Sequence, residues 1–173
     1  MFSEPAANIA KLGLVEGMKV VDLGAGSGFY SIESGRRVGA SGRVYAIDIQ
    51  KDLLERLRSI SSAQGIRNIE VIVGDLEKIG GTKLRESMAD RVIASNILFQ
   101  IEISKRDDFV LEIKRVLKTG GKVLVVDWEP GGSMSPKNSI SSAETRILFE
   151  KNGFVWEQSF PAGDHHYGLI LSR

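Results

Sequence analysis

The feature that most constrains the fold is a glycine-rich turn between a short apolar segment and a segment that can form a helix. Residues 20–29 read VVDLGAGSGF, which places glycines at positions 24, 26 and 28. Glycine adopts positive φ angles without strain and lets a ligand approach the backbone, and the N–H groups at the start of a helix are free to bind it. The pattern predicts a strand, a tight turn and a helix. It leaves open whether the turn binds a ligand or only connects two elements.

Strands and helices alternate along the rest of the chain, and the last two strands form a hairpin around the turn Pro161–Asp164. This alternation is typical of α/β domains in which helices cover both faces of a parallel sheet. Ser104 and Gly120-Gly121 are expected to begin and end one of the helices. The predicted strands are 19–23, 43–49, 69–74, 91–95, 122–128, 154–160 and 167–172, and the predicted helices are 28–38, 51–64, 104–118 and 142–151.

The length of the chain is enough for one domain of this kind, so residues 1–173 are expected to form a single domain. Residues 1–17 are expected to be a helical lead-in segment. Residues 129–140 are rich in Gly, Ser and Pro, which predicts a flexible loop. The loop follows the carboxyl end of a strand, where ligands bind in open α/β sheets, so it is either a flap over the site or an ordinary surface connection. Ser141 and Glu144 have the spacing of a capping box at a helix start.

Composition excludes several kinds of site and partner. The chain has no cysteine, which excludes disulfides, thiolate metal sites and cysteine nucleophiles. His, Asp and Glu show no metal-binding spacing, so no metal is expected. The net charge of +1, with basic pairs interleaved with acids, disfavours a nucleic-acid partner. Neither a signal peptide nor an apolar run of ~18 residues is present, so we expect a cytoplasmic protein without a membrane span.

Three aspartates lie at the ends of predicted strands close to the glycine turn. Asp22 stands directly before the turn, where its charge would repel a pyrophosphate but suit an ammonium group, and the G-x-G-x-G spacing differs from the dinucleotide pattern G-x-G-x-x-G. S-adenosylmethionine has an ammonium group, a sulfonium and no phosphate. Asp48, at the end of the second strand, can accept hydrogen bonds from both hydroxyls of a ribose. Asp75, after the third strand, can bind the amino group of an adenine.

Six segments, taken in order, resemble a class I S-adenosylmethionine-dependent methyltransferase, closest to the ubiquinone/menaquinone-biosynthesis branch. They read VVDLGAGSGFYS, VYAIDI, VIVGDLEKI, ADRVIASNILFQI, VLKTGGKVLVVDW and FEKNGF, and they extend from about Met18 to the end of the chain. The resemblance implies a Rossmann-like three-layer sandwich with a seven-stranded, mostly parallel sheet of order 3-2-1-4-5-7-6, ending in an antiparallel hairpin. It also implies S-adenosyl-L-methionine as the cofactor.

The same resemblance assigns roles at the carboxyl ends of the first four strands. Asp22 should hold the methionine ammonium group, and the glycine turn should wrap the methionine part. Asp48 should bind the ribose, with Ile49 beside the adenine, while Asp75 and Leu76 should contact the adenine. The end of the fourth strand should lie near the sulfonium. The implied cofactor-binding residues are Asp22, Gly24, Ala25, Gly26, Gly28, Asp48, Ile49, Asp75, Leu76, Ser95 and Asn96.

The methyl acceptor is expected beyond the carboxyl ends of the parallel strands, near Asn96, Phe99, Asp127 and Trp128. His165 and His166 are the two histidines of the chain, and the hairpin turn should bring them to the same rim. Only one of them should face the pocket, because successive residues of a strand point to opposite faces. The candidate catalytic residues are therefore His166, His165 and Asn96, with a histidine as general base. In the alternative, both histidines have structural roles only.

These patterns predict an enzyme that transfers a methyl group from S-adenosylmethionine to a small-molecule acceptor. Two alternatives stay open: a non-catalytic S-adenosylmethionine-binding module that acts with a partner, and an RNA or protein methyltransferase. Asp22 and the glycine spacing disfavour a nicotinamide oxidoreductase. A homodimer that covers the pocket also stays open, and the sequence does not name the acceptor.

Overall fold

The fold is built on one mixed sheet. The computed structural model describes residues 4–173. Its strands are β1 (Lys19–Leu23), β2 (Arg43–Asp48), β3 (Ile69–Val73), β4 (Ala89–Ser95), β5 (Leu117–Trp128), β6 (Val155–Gly163) and β7 (His166–Ser172). Its helices are α1 (Pro5–Leu12), α2 (Phe29–Val38), α3 (Lys51–Ala63), α4 (Arg106–Val116) and α5 (Ser142–Lys151), with a 3₁₀ turn at Ile103–Lys105.

The strand order is β3-β2-β1-β4-β5-β7-β6, and β7 runs antiparallel to both of its neighbours. The other pairings are parallel, so β1, β2 and β4 end at the same edge of the sheet. This order and the antiparallel hairpin confirm the fold predicted from the sequence. Because the strand order reverses between β1 and β4, a crevice opens there, where ligands bind in α/β sheets of this kind.

Helices cover both faces of the sheet. On one face, Ile9 and Leu12 of α1 and Tyr30 of α2 pack with Val20 and Ile93 of the central strands. The other face carries α4 and α5, whose buried side chains join those of β1, β4 and β5. The alternation of buried side chains along β1 supplies both layers, as expected for a central parallel strand. The three-layer arrangement leaves the carboxyl edge of the sheet free for a site.

The junction between α4 and β5 differs from the prediction. Helix α4 ends at Val116 and β5 begins at Leu117, so Gly120-Gly121 lie within the strand and do not end the helix. Leu117 has extended backbone angles, φ −69° and ψ 141°, and pairs with Ala89 of β4, where both side chains are fully buried. Burial of Leu117 in the sheet therefore decides its conformation, because the helix propensities of ordinary residues differ only slightly.

The two predicted helix caps have opposite outcomes. Ser104 lies inside the 3₁₀ turn and its hydroxyl donates to the carboxylate of Glu102, so it does not cap α4 and that prediction is wrong. At α5, the hydroxyl of Ser141 accepts from the N–H of Glu144, and the carboxylate of Glu144 accepts from the N–H of Ser141. The capping box is confirmed, because both of its partners are local in sequence.

The terminal hairpin has longer strands than predicted. Strand β6 continues to Gly163 and β7 begins at His166, so the turn is Asp164-His165 and not Pro161–Asp164. Pro161 is accommodated because β6 is an edge strand, where a missing N–H costs no ladder bond. His165 takes a positive φ of 61° in the turn.

The two segments predicted to flank or cover the sheet have defined places. Helix α1 lies within the predicted lead-in segment 1–17, of which residues 1–3 fall outside the described part of the chain. Residues 129–140 contain turns but neither helix nor strand, and Arg106 Nη2 donates to the carbonyl oxygen of Asn138 at 2.6 Å. Within residues 4–173, none of the helices combines the length and the apolar character that crossing a bilayer requires.

Candidate active site

The glycine turn has the backbone shape that its sequence predicts. Gly24, Gly26 and Gly28 have φ angles of +71°, +50° and +79°. A Cβ atom at Gly28 would lie 2.2 Å from Cδ1 of Leu57 on α3, whereas one at Gly26 would meet nothing closer than 3.8 Å. Gly28 therefore allows the turn to pack against α3, and Gly26 keeps the turn open on its free side.

Two adjoining cavities open at the carboxyl edge of the sheet and share Gly24, Gly26 and Gln100. The β2–β3 cavity, at the ends of those two strands, has a volume of about 360 Å³. The β1–β4 cavity, at the ends of the other two, has a volume of about 600 Å³. The β2–β3 cavity is lined by the predicted adenosine residues Asp48, Ile49, Asp75 and Leu76. The β1–β4 cavity is lined by Asp22, Ala25, Gly28, Ser95 and Asn96. Every predicted cofactor-binding residue thus lines one of the two cavities.

Asp22 places a buried carboxylate in the β1–β4 cavity. Its side chain is 2% exposed and accepts a hydrogen bond from Ser31 Oγ at 2.6 Å. Burial raises the pKa of Asp22 to about 6, and the negative charge of Asp48 adds to the effect. No Lys or Arg within residues 4–173 forms an ion pair with it. An ammonium group entering this cavity would supply the missing positive charge.

Asp48 connects the end of β2 to the glycine turn. One carboxylate oxygen accepts from the N–H of Gly26 at 2.9 Å, and the other accepts from the N–H of Gln50 at 2.9 Å. A carboxylate oxygen can accept more than one hydrogen bond, so both oxygens keep capacity for the hydroxyls of a ribose. The side chain is 7% exposed at the wall of the β2–β3 cavity.

Asp75 and Leu76 form the far wall of the same cavity. The carboxylate of Asp75 accepts from the N–H of Glu77 at 3.1 Å and lies 2.7 Å from the ammonium of Lys78. The hydrogen bond from Lys78 lowers the pKa of Asp75, so this group is ionised at neutral pH. Leu76 is buried and offers an apolar surface beside it. An acceptor next to an apolar wall suits a purine ring with an amino group.

The end of β4 brings Ser95 and Asn96 to the β1–β4 cavity. Asn96 has a positive φ of 55°, and its N–H donates to the carbonyl oxygen of Val126 at 2.8 Å. The following turn is held by Asp127, whose buried carboxylate accepts from the N–H of Leu98 at 2.9 Å. Burial raises the pKa of Asp127 to about 6. Asp127 therefore supports the rim of the cavity from behind and does not line it.

The two histidines occupy different environments. His165 is exposed in the hairpin turn, whereas His166 is 4% exposed and contacts the ring of Trp128 with centroids 4.2 Å apart. Nε2 of His166 lies 3.0 Å from Oδ1 of Asn96, and neither histidine is among the residues that line the two cavities described above. One histidine of the pair is buried and the other is exposed, and the expectation that one of them faces a bound acceptor stays a prediction. The general-base role of either one stays a prediction.

Several lining residues escaped sequence reasoning. Gln100 lines both cavities, and its Nε2 donates to the carbonyl oxygen of Asn96 at 2.8 Å. Phe29 and Tyr30, at the start of α2, line the β1–β4 cavity. The spacing of four residues between Asn96 and Gln100 was the available signal, since it allows one helical turn to bring both to the same side. No residue of 129–140 lines either cavity, and the flap role stays a prediction.

Comparison with known proteins gives the family. Residues 14–157 match a family model described as a methyltransferase domain. Protein-L-isoaspartate O-methyltransferase 2 from Archaeoglobus fulgidus is 32% identical over 130 residues, which cover 73% of this chain and 58% of that protein. Ubiquinone/menaquinone biosynthesis C-methyltransferase UbiE from Idiomarina loihiensis is 30% identical over 118 residues, which cover 67% of this chain and 45% of that protein.

A solved structure, a SAM dependent methyltransferase from Aquifex aeolicus, superposes with a TM-score of 0.87 at 26% identity and covers 98% of this chain and 89% of that one. The chain spans only about half the length of the curated relatives it matches. Proteins of the ubiquinone/menaquinone branch are one group of relatives among several. With the strand order described above, these similarities place the chain in the class I methyltransferase family, whose methyl donor is S-adenosylmethionine.

Proposed function

We propose that this chain is an S-adenosylmethionine-dependent enzyme that methylates a small molecule. The observation that carries the proposal is the pair of adjoining cavities, which share Gly24, Gly26 and Gln100. One cavity suits a nucleoside and the other has room for the methionine part and for an acceptor. When bound, S-adenosylmethionine supplies a methyl carbon to which the acceptor forms a bond while the carbon–sulfur bond breaks and its electron pair stays on sulfur.

The residues present fit this cofactor. The buried carboxylate of Asp22 has no cationic partner within residues 4–173, and an amino-acid ammonium group would provide one. Gly26 would let the methionine part approach the backbone, because no side chain stands there. Asp48 and Asp75 would bind the ribose and the adenine, with Leu76 packed on the base. These residues would bind and orient the cofactor. Alignment of the reacting groups lowers the activation free energy by several kcal/mol.

The chemistry of the β1–β4 cavity favours a small molecule as the acceptor. Phe29, Tyr30 and Pro5 provide apolar surface, and Ser95 and Asn96 provide hydrogen-bonding groups. Of the described residues that line this cavity, none is Lys or Arg. Nucleic-acid binding depends on neutralising phosphates with such residues, so this lining supports an uncharged acceptor of modest size over RNA.

Calorimetry with S-adenosylmethionine and S-adenosylhomocysteine, beside NAD, tests the first part of the proposal. We expect binding of both sulfur compounds and none of NAD. Absence of binding to a folded sample would overturn the enzyme proposal and favour the reading in which a partner completes the site.

Release of S-adenosylhomocysteine in the presence of an acceptor panel tests the second part. The panel should contain hydroxylated and amine-bearing small molecules, a quinol, an isoaspartyl peptide and a transfer RNA. Turnover of a small molecule supports the proposal. Turnover of the peptide alone would favour protein methylation, which the relative from Archaeoglobus fulgidus makes the second candidate.

A further inference from the structure

Three arginines line a cavity at the edge of the sheet opposite the candidate active site. This arginine cavity has a volume of about 370 Å³ and lies beside the amino ends of β2 and β3. Arg36 belongs to α2, Arg43 begins β2, and Arg67 lies between α3 and β3. Because a strand rises about 3.3 Å per residue, Arg43 lies about 17 Å along β2 from Asp48. The arginine cavity is therefore separate from the two cavities at the carboxyl edge.

The lining of the arginine cavity carries positive charge without a carboxylate to balance it. Among the lining residues that the structure describes, none is Asp or Glu. The guanidinium groups of Arg43 and Arg67 form neither an ion pair nor a side-chain hydrogen bond with any residue of the described range 4–173. Guanidinium groups bind carboxylates and phosphates with pairs of parallel hydrogen bonds. Two unpaired guanidinium groups on one cavity thus favour an anion as its occupant.

Arg36 is held in place by its neighbours and keeps donors for a ligand. Its Nη2 donates to Oε1 of Gln64 at 2.7 Å, and its Nη1 lies 3.6 Å from the carboxylate of Glu33. The closer partner of Glu33 is Arg37, whose Nε donates to it at 2.8 Å. Because a guanidinium has five N–H donors, Arg36 can bind an anion and keep its contact with Gln64.

The carbonyl oxygens that would repel an anion at this cavity are occupied. The cavity lies at the carboxyl end of α2, where a helix carries partial negative charge. The buried side chain of Asn68 donates through Nδ2 to the carbonyl oxygens of Gly35 at 2.8 Å and of Gly39 at 2.7 Å. The same helix end would attract an arginine of α2 itself, but Arg43 and Arg67 belong to other segments. A helix dipole alone therefore does not explain the cluster.

We propose that the arginine cavity binds a small molecule that carries two linked phosphate groups. A phosphate monoester has about two negative charges at neutral pH. The lining has three guanidinium charges, so a diphosphate matches it better than a single phosphate does. This inference goes beyond the proposed function and does not depend on it, because the two sites lie at opposite edges of the sheet.

Acidic side chains beside the cavity favour a small ligand over a polynucleotide. Glu33 lies next to Arg36, and the side chain of Glu16 lies next to Gly39. These carboxylates would repel phosphates that continued past the cavity on either side. The volume of about 370 Å³ lies in the range of small-molecule pockets.

Calorimetry with inorganic pyrophosphate tests the chemistry of the site. At equal ionic strength, pyrophosphate should bind about 10-fold more tightly than inorganic phosphate, and Arg67→Gln should weaken its binding by about 10-fold. The double variant Arg43→Gln with Arg67→Gln should not bind it. Arg85→Gln removes an exposed arginine between β3 and β4 and is the matched control, which should bind normally. Equal affinities for the two anions, or full affinity in the double variant, would overturn the proposal.

NMR of the ¹⁵N-labelled chain locates the bound anion. The competing position is the glycine turn at the start of α2, because helix N-termini bind anions. Pyrophosphate should shift the backbone amides of Gly39 and Gly65 and the side-chain amide of Asn68, all of which line the arginine cavity. It should leave the amides of Gly24 and Gly26 unmoved. Shifts confined to the glycine turn would overturn the proposal.

Further titrations, with S-adenosylhomocysteine present to fill the proposed cofactor site, identify the rest of the ligand. Tighter binding of adenosine diphosphate or of an alkyl diphosphate than of pyrophosphate would identify the organic part. Weaker binding of both would leave inorganic pyrophosphate itself as the ligand. An RNA oligonucleotide that binds through Arg43 and Arg67, without binding of pyrophosphate, would overturn the small-molecule class. Failure of S-adenosylhomocysteine to bind would count against the proposed function alone.

Discussion

The carboxylate of Asp48 accepts a hydrogen bond from the N–H of Gly26 at 2.9 Å, so the end of β2 holds the glycine turn that follows β1. Its other oxygen accepts from the N–H of Gln50, just before α3. One side chain thus ties together three segments that line the β2–β3 cavity. The same carboxylate is the proposed partner of the cofactor ribose. Asp48 therefore affects both the shape of the site and its affinity for the cofactor.

Asp48→Ala should weaken binding of S-adenosylhomocysteine by about 10- to 100-fold, since a hydrogen bond to a charged group contributes about 1.5–3 kcal/mol. Calorimetry at neutral pH measures the effect. The matched control is Asp52→Asn, an exposed aspartate in the first turn of α3, which should bind normally. Equal affinity of the Asp48→Ala variant and the unmodified chain would contradict the ribose role.

Asp22→Asn should stabilise the cofactor-free chain at about pH 8 and change its stability little near pH 4. Burial raises the pKa of Asp22 from 3.8 to about 6, so the folded state holds this proton more tightly than the unfolded state. The contribution of the group to the free energy of unfolding therefore falls as pH rises from about 4 to about 6, by about 3 kcal/mol. Thermal unfolding at the two pH values measures the difference.

The same Asp22→Asn variant should lose affinity for S-adenosylmethionine, because it no longer offers a negative charge to the ammonium group. For the unmodified chain, affinity should decline as pH falls through about 6, where Asp22 takes up its proton. A variant that gains stability at high pH and keeps full affinity would show that the ammonium group binds elsewhere.

Gly28→Ala should mainly reduce the stability of the chain, whereas Gly26→Ala should mainly weaken cofactor binding. At Gly28 the new Cβ would lie 2.2 Å from Cδ1 of Leu57, so we expect a loss of stability of about 1–3 kcal/mol or more from backbone strain and this clash. At Gly26 the space is open, so the variant should fold with a cost of about 1–2 kcal/mol for the positive φ and bind the cofactor poorly.

Denaturant unfolding and calorimetry on both glycine variants separate these outcomes. The double variant Gly28→Ala with Leu57→Ala should cost less stability than the sum of the two single changes, because the second change removes the clashing atoms. If the two losses of stability were strictly additive, backbone strain in the turn, and not contact with α3, would be the reason that position 28 requires glycine.

Glu112→Gln should destabilise the chain by about 3 kcal/mol at neutral pH. Glu112 is buried on α4 and accepts hydrogen bonds from Thr82 Oγ1 at 2.5 Å, from the N–H of Gly80 at 2.7 Å and from Arg115. These bonds outweigh burial and lower the pKa of Glu112 from 4.5 to about 2. The stabilisation is therefore present above about pH 4.5 and is lost as pH falls through about 2.

Chemical denaturation of the Glu112→Gln variant between neutral and acid pH measures this loss. Its difference from the unmodified chain should shrink as the pH falls. Limited proteolysis should cut the connection between β3 and β4 earlier in the variant, since Glu112 holds the backbone of that connection at Gly80 and Thr82. A pH-independent difference would point to packing and not to the carboxylate charge.

The sequence predicts the sheet well because its signals are local. Asp22, the glycines and the apolar run before them lie within ten residues, and the capping box of α5 lies within four. Contacts between distant residues are less visible. The helix that was expected to reach Lys118 ends at Val116 because Leu117 pairs with Ala89, which no periodicity in either segment indicates.

The candidate site divides in the same way. The sequence could place the predicted cofactor residues at the two cavities, since β1, β2 and β3 each carry an aspartate at or just after their ends, and the roles of these residues toward the cofactor stay predictions. The contact between His166 and Asn96 could not be predicted, because the two residues are 70 positions apart and meet only when the hairpin folds beside β5. The role of Asp127 as support for the rim also depends on its burial, which the sequence does not show.

The left-handed backbone of Asn96 has a consequence for how this protein can diverge. A φ of 55° is tolerated by glycine and by asparagine or aspartate, and strains β-branched or bulky residues. The position that directly follows β4 and lines the β1–β4 cavity is thus restricted by its backbone to a few small or polar side chains. New acceptor specificities would have to arise at Phe29 or Tyr30, where ordinary backbone angles leave the choice of side chain open.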